Sequence, residues 1–197
     1  MSSGDKKGLI YFQDGEIIAA HGNAKVYKMN GELFLEIGPS HTLWALESEL
    51  TDYIEQLYDY PHGRCLEIGL GLGVASRYIL TFPKVEHLTT VEKNLDVIKA
   101  HSLIKESDRG SAMIYNPSKH KVLHADGLMY AYQTKSRYDF IFIDCYDRID
   151  EDTLPLIADI HKACLRILKP GGRMVAWLDK YTPGEYFLEF QRVFNEE

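Results

Sequence analysis

The segment LEIGLGLGVASRYI, residues 66–79, restricts this chain more than any other. A short apolar run from Arg64 to Ile68 feeds into glycines at 69, 71 and 73. A pattern with helical spacing follows, from Val74 to Leu80. Glycine lets a backbone turn tightly at positive φ and come close to another group, because no Cβ intervenes. Strand, glycine turn and helix together form the opening unit of an α/β sheet. In that unit the helix N-terminus offers free N–H groups to a ligand. The rest of the chain must then supply strands and helices in alternation.

It does so. HLTTVE (87–92), HKVLH (120–124), YDFIFID (138–144) and RMVAWL (173–178) read as further strands. The helical patterns between them run from Val74 to Leu80, Leu95 to Lys105, Leu128 to Gln133 and Leu154 to Leu168. YDFIFID is apolar on both faces, as a central parallel strand under helices should be. Gly171-Gly172 after Lys169-Pro170 reads as a helix stop that feeds the next strand. The predicted fold class is α/β, with a doubly wound, mainly parallel sheet.

A β-rich region precedes the glycines. LIYFQ, Asp14-Gly15 and EIIAA read as one hairpin, and KVYKM, Asn30-Gly31 and ELFLEI as a second. Gly38-Pro39 breaks the strand. Ser40 is placed to cap a helix with Leu43, Leu46, Leu50, Ile54 and Leu57 on one stripe. The expected division is a hairpin region over 1–39, a covering helix and linker over 40–63, and a cofactor-binding domain over 64–197.

A length of 197 residues suits one domain with a small appendage. The net charge of -7 argues against a broad nucleic-acid surface. Cys65, Cys145 and Cys164 lie inside apolar runs without metal-ligand spacing, which suits buried thiols in a reducing compartment. The N-terminal segment has no apolar signal core, and no apolar run is long enough to span a membrane. These features predict a soluble, cytoplasmic protein acting on a small molecule.

The glycine spacing helps to select the ligand. A dinucleotide fingerprint is G-x-G-x-x-G, and a P-loop needs Gly-Lys-Ser/Thr. Here Glu67 precedes G-x-G-x-G, at Gly69, Gly71 and Gly73. This stretch resembles the first motif of the class I, Rossmann-like methyltransferases that use S-adenosylmethionine, and the resemblance extends from Arg64 to Leu178. It implies that the three glycines make room for the methionyl part of S-adenosylmethionine, with Glu67 near its amino end. It implies that Glu92, ending the second strand, accepts the ribose hydroxyls. Asp126 with Gly127, in HADG, would bind the adenine amino group. Asp144, ending the fourth strand, would lie near the sulfonium, and LKPGGRMVAW resembles the turn and fifth strand. In that family the sheet continues with a helix and an antiparallel strand pair. Only 183–197 remain here after the fifth strand, which predicts five parallel strands with the fifth at an edge. The hairpins, the last helix or a second copy in a homodimer would have to cover it.

Two related chemistries use such a site. Methyltransferases move the methyl group, and aminopropyltransferases such as spermidine synthases move the aminopropyl group of the decarboxylated cofactor. HADGLMYAY followed by YDFIFIDCYD resembles the spermidine synthase region, with Asp144 and Asp147 as its D-x-x-D pair. Paired carboxylates suit a polycationic amine, holding one ammonium and deprotonating another. The N-terminal hairpins resemble the small β domain of those enzymes. Two departures favour methyl transfer. Leu72 stands where spermidine synthases carry an aspartate in the glycine loop, and Arg148 to Asp152 replaces their proline-rich continuation. The expectation is therefore a methyltransferase for a small acceptor, with Asp144 and Asp147 catalytic. Aminopropyl transfer is the alternative, and a non-catalytic cofactor-binding module is the third reading.

His41, Trp44 and Tyr146 are candidate substrate contacts, with Tyr11 and Phe12 as further aromatics. The turn Asp144–Asp147 lacks the proline of base-amino methyltransferases, and Cys145 reads as a packing residue. Asp144 with Asp147 or Asp179 has oxygen ligands for a hard cation, but no metal is expected. His120 and His124 lie on a strand pattern and read as structural or exposed.

Overall fold

Asn30 and Gly31 both take positive φ, 53° and 82°, as a two-residue hairpin turn between right-twisted strands demands. The turn belongs to a computed structural model that describes residues 15–38, 42–109, 116–178 and 182–195. It joins β2 (Ala24–Met29) to β3 (Glu32–Ile37). With β1 (Glu16–His21) and β4 (Thr42–Leu46) these strands form a four-stranded antiparallel sheet in chain order. The segment LIYFQ and Asp14, expected to form the first arm and turn of the first hairpin, lie outside the described residues. β1 pairs with β2 across Gly22-Asn23, with Gly22 at φ 54°.

Ser40 and its neighbours 39–41 also lie outside the described residues. The helix expected to follow is shorter than the sequence pattern suggests. Thr42–Leu46 is a strand on the edge of β3, and α1 spans only Leu50–Leu57. The open ladder of β3 supplies hydrogen bonds that a first helical turn would have lacked, and TLWAL suits a pleated surface. The buried side of α1 is set by Tyr53 and Leu57, while Ile54 is 48% exposed.

The second sheet is parallel throughout, in the order β7-β6-β5-β8-β9. It consists of β5 (Gly63–Ile68), β6 (Val85–Glu92), β7 (His120–His124), β8 (Tyr138–Ile143) and β9 (Leu168–Ala176). Between them run α2 (Val74–Ile79), α3 (Leu95–Leu103), α4 (Gly127–Gln133) and α5 (Leu154–Leu165), and α6 (Gly184–Asn195) follows β9. This confirms the α/β fold class, with its smaller N-terminal β region. Phe140, Ile141, Phe142 and Ile143 are fully buried on both faces of β8. α5 ends before the expected Leu168, which already pairs with Tyr138. A register shift then lets the chain loop through Lys169–Gly172 before Arg173 pairs with Phe140. Among the described residues no helix is long and apolar enough to cross a membrane.

Strand order reverses at β5, whose neighbours β6 and β8 diverge in their connections, and ligand crevices form at such points. The backbone there is tightly drawn. Gly69 has φ 104°, its N–H donates to Val91 at 2.9 Å, and the Asp144 N–H donates to Ile68 at 2.8 Å. A Cβ on Gly69 would stand 1.8 Å from the Asp144 carbonyl oxygen. The glycine therefore answers to a packing demand as well as to any ligand.

Leu72 sits on the other side of the same loop. It is 2% exposed and packs with Ala19, Ala24, Val26, Leu33 and Leu35 of the N-terminal sheet and with Val97, Ala100 and Ile104. Its side chain thus belongs to an apolar cluster that joins that sheet to α3.

Gly69→Ala should destabilise the fold by more than about 4 kcal/mol, because a backbone carbonyl cannot step aside. The thermal midpoint should fall by roughly 10 °C or more. Gly31→Ala, with open space around it but the same positive φ, should cost only about 1 kcal/mol. Leu72→Asp should cost more than about 3 kcal/mol by placing a carboxylate in an apolar cluster. Urea denaturation of the three variants checks all three values.

Candidate active site

Three acids converge at the carboxyl edge of the parallel sheet. Glu67 is the penultimate residue of β5, Glu92 ends β6, and Asp144 follows β8. All three lie where the sequence places them. Their charges interact, since Asp144 and Glu92 both raise Glu67, and Glu92 raises Asp144.

Glu92 braces the glycine loop. The Leu70 N–H donates to its Oε2 at 3.0 Å and the Asn94 N–H to its Oε1 at 2.7 Å. Each carboxylate oxygen has a second lone pair for a ligand hydroxyl. Glu67 lies beneath the loop, fully enclosed. Thr90 donates to its Oε2 at 2.5 Å, Ser76 donates to the same oxygen, and Thr90 also meets His120 Nε2 at 2.7 Å. Burial pushes the Glu67 carboxyl up to about 8, although the two hydroxyls act against the shift. Burial likewise lowers His120 to about 4, so this imidazole is neutral and structural. His124 Nε2 contacts the Lys93 carbonyl at 3.1 Å.

Asp144 has a partner that sequence reasoning missed. Tyr53 of α1 donates its hydroxyl to Asp144 Oδ2 at 2.8 Å, and its ring meets Phe142 edge-on at 5.8 Å. The same hydroxyl lies 3.2 Å from Glu49 Oε2. Burial pushes the Asp144 carboxyl up to about 7, the Tyr53 hydrogen bond opposes this, and Glu92 adds to it. Tyr53 lies four residues before Leu57, so a helical pattern that admitted a tyrosine would have found it. Asp147 is half-buried, and none of the described residues donates a hydrogen bond to it.

The remaining candidates divide by their surroundings. Asp126 is exposed and caps α4, accepting from the Met129 N–H at 2.9 Å. Gly127 opens that helix against β5, where a Cβ would meet Ile68 Cγ2 at 2.3 Å. Gly71 and Gly73 hold φ of 50° and 74°, and a Cβ on Gly73 would strike His101 Nε2 at 2.4 Å. Tyr146 is 7% exposed, and its hydroxyl donates to the Trp177 carbonyl at 2.5 Å. That hydroxyl is committed to tying the loop after β8 to the end of β9. Trp44 lies on β4 where the register with β3 skips a residue, and His41 lies outside the described residues.

Burial raises Cys145 to about 12, which leaves it a neutral thiol packed in the loop. Among the described residues no group of three or more His, Cys, Asp or Glu is placed to hold a metal ion. Asp179 lies outside them.

α1 is fastened over this edge twice. Tyr53 reaches Asp144, and the Gln56 side-chain amide exchanges two hydrogen bonds with the backbone of Leu178, at 2.8 and 2.9 Å.

Comparison with known proteins bears on the family of the chain. The family profile described as spermine/spermidine synthase domain matches residues 57–188. The polyamine aminopropyltransferase of Prochlorococcus marinus is 35% identical over 111 residues, covering 55% of this chain and 38% of that protein. That of Pectobacterium carotovorum is 30% identical over 131 residues, covering 63% and 45%. The chain thus spans less than half the length of these curated relatives. Among solved structures, the spermidine synthase of Thermotoga maritima superposes with a TM-score of 0.69 at 20% identity, over 90% of this chain and 62% of that one. At that identity the likeness bears on the fold.

These findings overturn the expectation of methyl transfer. One of the two departures that favoured it, Leu72, has a physical explanation. Leu72 is buried against the N-terminal sheet and α3, so its lack of charge says nothing about which cofactor the site admits. With a profile match extending over well more than half of its length, the chain belongs to the spermine/spermidine synthase domain family.

Proposed function

We propose that this chain serves the transfer of an aminopropyl group from decarboxylated S-adenosylmethionine to an amine. The observation that carries the reading is the acidic character of the carboxyl edge, where Glu67, Glu92 and Asp144 gather and Asp147 follows Asp144 by three residues. Such a set suits ligands that bring only positive charge. The decarboxylated cofactor carries an ammonium and a sulfonium, whereas intact S-adenosylmethionine adds a carboxylate that these acids repel.

The residues divide the work in this reading. Glu92 holds the ribose hydroxyls with its free lone pairs while it keeps the loop in place. Asp126 and Gly127 flank the adenine, and Glu67 faces the cofactor's ammonium beneath Gly69, Gly71 and Gly73. The bound cofactor supplies an aminopropyl carbon activated by its sulfonium. Asp147 holds an ammonium of the acceptor. Asp144 takes the proton that the attacking amine must lose, and Tyr53 fixes one of its oxygens so that the other is free. A carboxyl raised towards neutrality is a stronger base than an ordinary aspartate, which helps it with an alkylamine.

Calorimetry tests the cofactor assignment. The decarboxylated form should bind at least about tenfold more tightly than the intact one, since repulsion of a single carboxylate amounts to roughly 1.4 kcal/mol or more. Binding of the dication should also release protons at pH 7.5, because Glu67 and Asp144 are then partly protonated and a nearby cation favours their ionised forms. Titrations in two buffers of different ionisation enthalpy measure that release. Tighter binding of intact S-adenosylmethionine would refute the reading.

Turnover tests the base. Asp144→Asn should lower kcat by roughly a hundredfold or more. The rate of the wild type should fall as pH drops through the Asp144 titration, because only the ionised carboxylate accepts a proton. Tyr53→Phe removes a donor to that ionised form, so the acid limb should move to higher pH. An unmoved limb would detach Tyr53 from the chemistry.

A further inference from the structure

Trp177 directly follows β9 and carries a polar group that has no hydrogen-bond partner among the described residues. Its backbone N–H donates to the Ile143 carbonyl at 2.8 Å, which extends the β8–β9 register by one residue. Trp177 therefore stands beside Asp144. Residues opposite one another on parallel strands direct their side chains to the same face. Phe142 pairs with Val175, and its ring meets Tyr53 of α1. Two residues on, Asp144 meets the Tyr53 hydroxyl, so Trp177 lies next to Asp144 on the α1 side of the sheet. It is 9% exposed, and its Nε1 is buried without a hydrogen-bond partner. The Tyr146 ring lies 6.0 Å away, but its hydroxyl is spent on the Trp177 carbonyl.

A buried donor left unpaired is costly, and folded proteins keep few of them. The indole N–H can only donate. An ammonium has no lone pair to offer it, and a neutral amine needs its lone pair for attack. The acceptor group best suited to Trp177 is therefore an oxygen. A carboxylate is disfavoured by Glu67, Glu92 and Asp144 at the same edge.

We propose that Trp177 is a specificity-determining residue whose indole N–H holds a neutral oxygen, hydroxyl or carbonyl, of the acceptor amine. The preferred acceptor is then an oxygen-bearing amine rather than a plain alkane diamine. This inference rests on the aminopropyl-transfer reading for the position of the acceptor.

A matched pair of acceptors tests it, 1,3-diaminopropane against 1,3-diamino-2-propanol. With the full chain and the decarboxylated cofactor, kcat/KM should favour the hydroxylated amine by roughly tenfold, the worth of one buried hydrogen bond. Trp177→Phe keeps a ring but removes the donor, and should reduce the preference to near unity. Its melting temperature and circular dichroism report whether the variant folds. In the wild type, the indole N–H proton resonance of Trp177 should move downfield with the hydroxylated amine and stay in place with the plain one. This arm needs no variant. Equal use of the two amines by the wild type would overturn the proposal, as would a preference that survives in Trp177→Phe. The N–H would then be met by water. If neither amine receives an aminopropyl group, the transfer reading itself fails. The resonance shift and the two affinities, measured with 5′-methylthioadenosine bound, then decide the Trp177 assignment separately.

Discussion

The contact between Gly69 and the Asp144 carbonyl is the constraint on which the rest of the site depends. β5 and β8 are hydrogen-bonded neighbours, and their chains leave the sheet in different directions immediately beyond it. The two departing backbones come so close that no side chain fits between them at Gly69. That proximity carries the glycine loop and the acid after β8 to the same place. It also brings Glu67, at the end of β5, within electrostatic range of Asp144. A ligand laid over the loop would meet Asp144 without any rearrangement of the sheet.

The acids at this edge are held by different means, and the differences suit different tasks. Glu92 receives two backbone N–H groups and behaves as a brace. Glu67 is held by two hydroxyls in an enclosed site, where burial favours its protonated form. Asp144 receives one tyrosine hydroxyl on its Oδ2. The three carboxyls are therefore held by backbone N–H groups, by two hydroxyls and by one tyrosine, although all three lie at the ends of strands of a single sheet.

Much of this was legible in the sequence because it rests on local pattern. The Asn30-Gly31 turn and the five parallel strands are set by neighbouring residues, and so are the acids at strand ends. What escaped depends on partners far along the chain. TLWAL has enough leucine to read as helix, yet the open edge of β3 recruits it as a strand. Tyr53 looks like one more core aromatic until α1 is laid across Asp144, 91 positions away. Leu72 shows the hazard most clearly. Its place in the motif suggests a residue facing the ligand, whereas its side chain points to the N-terminal sheet. A loop that alternates with glycine can send neighbouring side chains to opposite sides, and a motif does not record which.

The Gln56 amide on Leu178 has a consequence beyond fastening α1. Trp177 directs its N–H towards β8, so Leu178, the next residue of an extended chain, turns its N–H and carbonyl outward. Those are the groups to which an additional strand would first attach. A glutamine side chain carries the same donor and acceptor as a peptide bond, and here it fills both positions. The topmost rung of the ladder is thus occupied by a counterfeit peptide from the molecule's own helix. Another chain sliding along that flank would have to dislodge α1 before it could zip past this point, and in doing so it would also pull Tyr53 from Asp144. Resistance to lateral growth and the alignment of Asp144 are thereby secured by one short helix.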